Sequence, residues 1–443
     1  MLVDTIFALA SGRGRAAIAV LRLSGPAAGA ALSALTGRVP PTPRAATLTA
    51  LRHPKTLELL DRALVLWFPA PHSQTGEDLA ELHLHGGRAV IDGVVEALGA
   101  EPGLRAAEPG EFTRRAFENH KLDLTEAEAI ADLVDAETAS QRRLALEQHG
   151  GTLGRLYEGW RARLVRLLAH IEAGIDFPEE DLPETLDADA RAELVRLSGD
   201  LADHLNDGRR GERLRSGLSV AIIGPPNAGK SSLLNALARR EAAIVSAQSG
   251  TTRDVIEVHL DLGGYPLIVA DTAGLRESTD EIEQEGIRRA RDRAAHADIK
   301  LAIFDGALWP HRDPATEHLI DDATLVVVNK LDRHGIVAPM VGTKAAYAVS
   351  VLSGAGLPEL IAGLTALAAR LADTGGRPTL TRARHRLALK DCLGALRRAE
   401  SASLPELAAE DVRLATRALG RITGRVAIDE VLDVIFRDFC IGK

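Results

Sequence analysis

The sequence predicts a multi-domain protein with an α+β N-terminal domain, an α-helical domain contributed by two separated segments, and an inserted α/β domain. Three observations predict it. At the usual domain size, 443 residues allow about three domains. Short β-like runs and turn clusters fill the first 120 residues, and a strand-helix alternation at 216–376 is flanked on both sides by helical periodicity. The expected parts are therefore 1–120, 121–215, 216–376 and 377–443, the second and fourth packing together as one helical domain.

Each part has its own pattern. Thr5–Ala10, Ala17–Leu23, Ala63–Phe68 and Leu79–Leu84 read as strands, punctuated by turn residues such as V-P-P-T-P-R at 39–44. Beyond 121, Leu156, Trp160, Leu164, Leu167, Leu168 and Ile171 recur at three- and four-residue steps and form one face of a long helix. From 218, S-V-A-I-I, P-L-I-V-A, K-L-A-I-F and T-L-V-V-V are spaced by helix-length segments, the signature of a parallel sheet. After Gly375-Gly376-Arg377-Pro378 the helical stripe returns with Ile428, Val431, Leu432, Ile435, Phe436 and Phe439.

Composition narrows the class. With only Cys392 and Cys440 present, a disulfide framework and Cys-rich zinc modules are excluded, which fits a reducing compartment. Asp4 and the lack of a basic leader argue against export, and no apolar run is long enough to span a bilayer. A cytoplasmic protein is expected. The net charge of −9 and 3% aromatic content give no support of their own to a nucleic-acid partner.

The chemistry is concentrated in the inserted domain. G-P-P-N-A-G-K-S at 224–231 follows a strand and opens a helix, the context that identifies a phosphate loop. Its backbone amides can point at phosphate oxygens, Lys230 would neutralise the β- and γ-phosphates, and the Ser231 hydroxyl would ligate Mg²⁺. Downstream, Asn329-Lys330-Leu331-Asp332 again follows a strand. A carboxylate there can accept two hydrogen bonds from guanine N1–H and N2–H₂, which adenine cannot offer, so GTP is favoured over ATP.

Between these lie Gly250-Thr251-Thr252-Arg253-Asp254 and Asp271-Thr272-Ala273-Gly274. Thr252 can reach Mg²⁺ and the γ-phosphate, Asp271 can hold a metal-bound water, and the Gly274 amide can meet the γ-phosphate. The residue after Gly274 is Leu275, where Ras-type enzymes place the glutamine that orients the attacking water. A polar residue elsewhere must do this, with Glu277, Glu281, Glu283 and Glu285 as candidates.

With these motifs in hand, the chain resembles the MnmE (TrmE) family of bacterial tRNA-modification GTPases from end to end. The resemblance also rests on Asp4-Thr5-Ile6, L-R-L-S-G at 21–25, T-G-E-D at 75–78, H-L-H-G-G at 83–87, P-G-E-F-T-R-R-A-F at 109–117, K-L-D-L at 121–124 and F-C-I-G-K at 439–443. It implies an N-terminal domain that binds folate and forms a homodimer. It also implies an FAD-dependent partner of the MnmG (GidA) type, a tRNA substrate modified at C5 of the wobble uridine, and a 5-formyl- or methylenetetrahydrofolate donor. A ribosome-assembly GTPase switch without modification activity is the alternative, and a P-loop kinase is disfavoured by N-K-L-D and D-T-A-G.

Carried over by position, the nucleotide contacts are Asn227, Ala228, Gly229, Lys230, Ser231 and Ser232, then Ser246, Ala247, Gln248, Ser249, Gly250, Thr251 and Thr252. Asp271, Thr272, Ala273, Gly274, Asn329, Lys330, Asp332, Ser350 and Val351 complete them. Mg²⁺ falls to Ser231 and Thr252, and K⁺ to Asn227, Ser246, Gln248 and Thr251. The water-orienting carboxylate is Glu283. Folate falls to Arg22, Glu81 and Lys121, with Lys443 nearby: Glu81 suits the pterin N–H donors, Arg22 and Lys121 the pteroylglutamate carboxylates or other acceptor groups.

Several features stay open. His83 and His85 share a strand face and could suggest metal, though no companion ligands are apparent. Cys440 is either a buried helix-end residue or a functional thiol. Residues 11–17 lack the family's paired prolines and glycines, Gln74 replaces a usual aromatic, Gln248 replaces an apolar residue, and S-V-L at 350–352 replaces Ser-Ala-Lys; none of these removes a required group. The acidic balance suggests that tRNA is held largely by the partner enzyme or by local arginine clusters such as Arg209, Arg210, Arg213 and Arg215.

Overall fold

The computed structural model describes residues 4–12, 14–176, 184–240, 243–244, 257–270, 294–333, 339–426, 429–437 and 439–442. It divides into two compact units, Met1–Ala131 with Leu419–Lys443, and Asp132–Ala418. Compactness thus groups the chain differently from the sequence pattern, which sets the N-terminal domain apart from all later helices. The physical reason is an aromatic seam. Phe117 and Leu124 bury against Leu432, Phe436 and Phe439, and Ile441 pairs with Pro109 as an antiparallel bridge.

The first unit is built on a six-stranded sheet. Its strands are β1 (Thr5–Leu9), β2 (Ile18–Ser24), β3 (Thr47–Arg52), β4 (Leu59–Phe68), β5 (Leu79–His85) and β6 (Leu104–Ala106), in the order β3-β4-β5-β2-β1-β6. Only the β1–β6 pair is parallel. Alternation along each strand sends Leu21, Leu23, Ala63, Val65, Ala80, Leu82 and Leu84 to one face. There the helices Ala28–Thr36 and Arg88–Gly99 cover them with Leu32, Leu35, Val94 and Leu98.

The motifs at 4–6, 75–78 and 109–117 meet in one buried ion cluster. Arg115, 1% exposed, bonds Asp4, Glu77 and Glu111, and Arg105 bridges Asp4 and Glu111. Ser24 Oγ donates to Glu77. These sequence signatures therefore fix the helix Glu111–Glu118 against the sheet.

The second unit holds an eight-stranded sheet: β7 (Leu218–Ile223), β8 (Ala243–Ile244), β9 (Glu257–Leu262), β10 (Tyr265–Ala270), β11 (Ile299–Asp305), β12 (Thr324–Asn329), β13 (Met340–Val341) and β14 (Lys344–Ala348). The order is β13-β14-β12-β11-β7-β10-β9-β8. Its centre is parallel and both ends are antiparallel. The central strands read as continuous apolar runs because helices cover both faces. β9 and β14, which the sequence pattern did not single out, are the more polar flanking strands.

The helices Thr152–Asp176, Glu184–Leu205 and Ala383–Ser401 pack in the same unit, so segments from both sides of the sheet domain meet there. Ser198 donates to Glu400 and Arg413 pairs with Glu172. The buried stripe on the first helix is Leu153, Tyr157, Trp160, Leu164 and Leu167. Leu156, Leu168 and Ile171 sit half-buried at its margin, because the four-three alternation that faces the core starts at Leu153.

Candidate functional site: a phosphate loop joined to the loops after two neighbouring strands

β7 ends at Ile223, and the helix Lys230–Arg240 begins after the loop 224–229. The loop depends on its glycines. Gly224 (φ 155°) and Gly229 (φ 99°) occupy conformations that L side chains rarely adopt, and a Cβ on Gly229 would overlap the Asn329 amide nitrogen. Asn227 is also left-handed, at φ 61°.

Asn329, 3% exposed at the end of β12, joins the loops. Its Nδ2 donates to Ala228 O at 3.0 Å, and its Oδ1 accepts from Val351 N–H at 3.3 Å. Ser350 Oγ donates to Asp332 Oδ1 at 2.5 Å, which holds the Asp332 carboxyl below its ordinary value and keeps it an acceptor. Lys330 (φ 66°) pairs with Asp305 at 2.5 Å, and Leu331 N–H donates to Val349 O at 3.0 Å. Gly229, Lys230, Ser231, Ser232, Asn329, Lys330, Asp332 and Val351 line a single cavity of about 1040 Å³ with Asn227.

Lys230 shows what the cavity is built for. Nζ donates to Gly224 O and Pro225 O, both at 2.9 Å, and burial alone pulls its pKa down. An ammonium that, among the described residues, is held by carbonyls alone is matched by an anion. The parts of the site at 246–252, 271–274 and Glu283 lie outside the described residues, as do Lys443 and the remaining glutamate candidates.

The family model for the TrmE N-terminus matches residues 5–121, and that for the MnmE helical domain matches 124–440. The chain is 59% identical to the tRNA modification GTPase MnmE of Paramagnetospirillum magneticum, over 99% of this chain and 100% of the relative. The chain belongs to the MnmE family of tRNA modification GTPases. The Rhodospirillum rubrum MnmE is 58% identical over the whole of both chains. A mitochondrial 5-taurinomethyluridine-[tRNA] synthase subunit of Danio rerio is 49% identical over 99% of this chain and 93% of its own.

In this member of the MnmE family, the positions expected to bind folate are partly assembled. Arg22 and Glu81 stand opposite each other on β2 and β5. Arg22 Nε and Nη2 donate to Glu81 Oε1 at 3.1 and 2.9 Å, and the guanidinium lies 5.8 Å from the Phe112 ring. As direct partners, the two present a joined donor and acceptor rather than two separate groups. The Lys121 side chain lies beside Gly76.

Other expectations change too. Three of the four clustered arginines are ion-paired: Arg209, still largely exposed, with Glu212 one turn along, Arg213 with Asp298 and Arg215 with Asp132. Acidic residues within the helix and on neighbouring elements offset much of a cluster that looks basic in sequence. Asp132 also takes Arg382, and Arg386 holds Asp207 and Glu212, so this network ties together both connections to the sheet domain. Cys440 is exposed rather than buried, while Cys392 is buried and its thiol is pushed up to about 12. No group of three potential metal ligands occurs among the described residues, which leaves His83 and His85 without a metal-site geometry. No described helix is long and apolar enough to cross a membrane.

Proposed function

We propose that this chain hydrolyses GTP as part of tRNA wobble-uridine modification. With an FAD-dependent MnmG-type partner, it would add a carboxymethylaminomethyl or aminomethyl group at C5, using a folate one-carbon unit. The observation that carries the nucleotide reading is Asn329, which ties Ala228 of the phosphate loop to Val351 of the base-reading loop around one cavity.

Asp332, kept ionised by Ser350, would read guanine N1–H and N2–H₂, and the Val351 amide would face O6. Lys230 would exchange its carbonyl partners for the β- and γ-phosphates. Ser231 and Thr252 would hold Mg²⁺, which neutralises phosphate charge. Asn227, Ser246, Gln248 and Thr251 would hold K⁺. Glu283 would orient water, since Leu275 cannot. Arg22, Glu81, Lys121 and Lys443 would bind the folate in a cytoplasmic homodimer formed through the N-terminal domain.

Two experiments test this. Asp332→Asn exchanges an acceptor for a donor, so GTP affinity should fall by about two orders of magnitude while xanthosine triphosphate gains. Unchanged GTP binding would sink the base assignment. Nucleoside analysis of tRNA from cells lacking the protein should show wobble uridines without the C5 group; intact modification would leave a switch without modification activity.

A further inference from the structure

β9 and β10 form a hairpin between two of the nucleotide motifs. β9 begins at Glu257, shortly after Gly250-Thr251-Thr252-Arg253-Asp254, and β10 ends at Ala270, immediately before Asp271-Thr272-Ala273-Gly274. Pairing of Leu262 with Tyr265 leaves Gly263 and Gly264 as a two-residue turn, at φ 60° and 90°, the left-handed geometry that a tight hairpin requires. Asp261 Oδ1 closes the turn by accepting the Gly264 N–H at 2.8 Å.

This turn is seated on the helical segment. Gly264 O accepts the Ser140 N–H at 3.2 Å, and a Cβ on Gly264 would stand 3.4 Å from Ser140 Oγ. Further along β9, His259 Nδ1 lies 2.9 Å from Glu137 Oε2, both side chains being half-buried. A carboxylate accepts, so the ring donates, and the bond asks for no charge on the imidazole. Glu137 and Ser140 are themselves held. Thr138 and Gln141 form a capping box at the start of the helix Ala139–His149, in which Gln141 Oε1 accepts the Glu137 and Thr138 N–H groups, both at 3.0 Å. Gln141 Nε2 donates to Arg215 O at 3.1 Å, in the last turn of the helix Arg210–Ser216 that leads into β7. β10 runs parallel beside β7, and a Cβ on Gly217 (φ 85°) would meet Ile268 of β10 at 2.9 Å. One short corner, 137–141, thus holds both the entry to the sheet domain and the hairpin.

We propose that Glu137 is a positioning residue for GTP hydrolysis. Through His259, and alongside the Ser140 contact with Gly264, it fixes the β9–β10 hairpin on the helical segment, and with it the strand that leads into Asp271. The proposal rests on the assignment of Asp271-Thr272-Ala273-Gly274 to the nucleotide site. Glu137, Ser140, His259 and Gly264 are absent from the lining of the cavity that holds Lys230, Asn329 and Asp332, so nucleotide affinity is independent of the corner while turnover depends on it. The coupling is reciprocal: the nucleotide state that favours the seated hairpin is favoured by it in return.

The test measures GTP hydrolysis by the full chain with Mg²⁺ and K⁺ present, together with equilibrium binding of a fluorescent GDP and thermal melting. Glu137→Ala should lower kcat about fivefold, the scale of coupling carried by a residue that touches no ligand. Nucleotide affinity should be unchanged, and the melting temperature should stay within about 2 °C of the wild type. Glu137→Gln, which keeps an oxygen acceptor for His259, should restore most of the rate. His259→Ala should lower kcat by the same factor, and the double variant no further, because the two act as one link. An unchanged kcat in Glu137→Ala overturns the proposal, and so does an additive loss in the double variant. Loss of nucleotide affinity in step with kcat, or slower turnover explained by a lowered melting temperature, makes the corner a packing contact only and also overturns it. Asp271→Asn with undiminished turnover would instead remove the motif assignment, and the proposal with it.

Discussion

Replacing Arg115 by methionine should be among the most destabilising single changes in the first unit. Arg115 is 1% exposed and bonds Asp4, Glu77 and Glu111, whose side chains are 36%, 18% and 7% exposed. Methionine fills much of the volume but leaves Glu77 with only Ser24 and the Thr75 turn nearby, and Glu111 with Arg105. Removing one partner of a buried ion pair costs about 3–5 kcal/mol, because the remaining charge stays desolvated. In a unit of this size that corresponds to a melting shift of roughly 6–20 °C. Calorimetry on the full chain should show the first unit's transition moving down while the second unit's transition stays. Arg115→Lys should fall between, since a point charge cannot serve three carboxylates as a planar fork does. A loss below about 1 kcal/mol, the range of solvent-exposed pairs, would refute the view that this cluster is buried and holds the helix Glu111–Glu118.

Other outcomes follow from the same contacts. Burial works against charge on Glu111, yet hydrogen bonds from Arg105, the Glu108 N–H and Arg115 hold its carboxyl below the ordinary value. Its stabilisation is therefore present above pH 4.5 and should be lost as pH falls through the depressed value, detectable by urea titration across that window. His204 is the converse case. Burial pulls it from 6.5 down to about 4, so the unfolded chain takes up the proton first, and stability should fall by roughly 3 kcal/mol as pH drops across this interval. His204→Phe, packed beside Tyr157 and Trp160, should flatten that profile; an unchanged profile would point to another group. Gly229→Ala should abolish nucleotide binding, because its Cβ overlaps Asn329, and retained binding would show that the loop can give way. Asn329→Ala should weaken nucleotide binding by removing both loop contacts while Asp332 remains, and equilibrium binding of a fluorescent guanine nucleotide would measure the loss.

The sequence alone determined the phosphate loop, the N-K-L-D turn that follows a strand and the alternation that builds a parallel sheet. These are local: a glycine-rich turn between strand and helix has one geometry, and buried central strands must be apolar on both faces. Its motifs at 4–6, 75–78 and 109–117 were legible as signatures but not as a joint. Only the tertiary structure brings Asp4, Glu77, Glu111 and Arg115 together from distant positions, and no periodicity encodes that meeting. The same holds for charge. Arg213 and Arg215 read as part of a basic cluster until Asp298 and Asp132 arrive beside them. His83 and His85 read as a pair on one strand face until strand pairing set Asp61 beside His85. Residue type fixes what a side chain can bind; the fold decides which partner is there, because ion pairs and hydrogen bonds depend on distances that chain order does not carry.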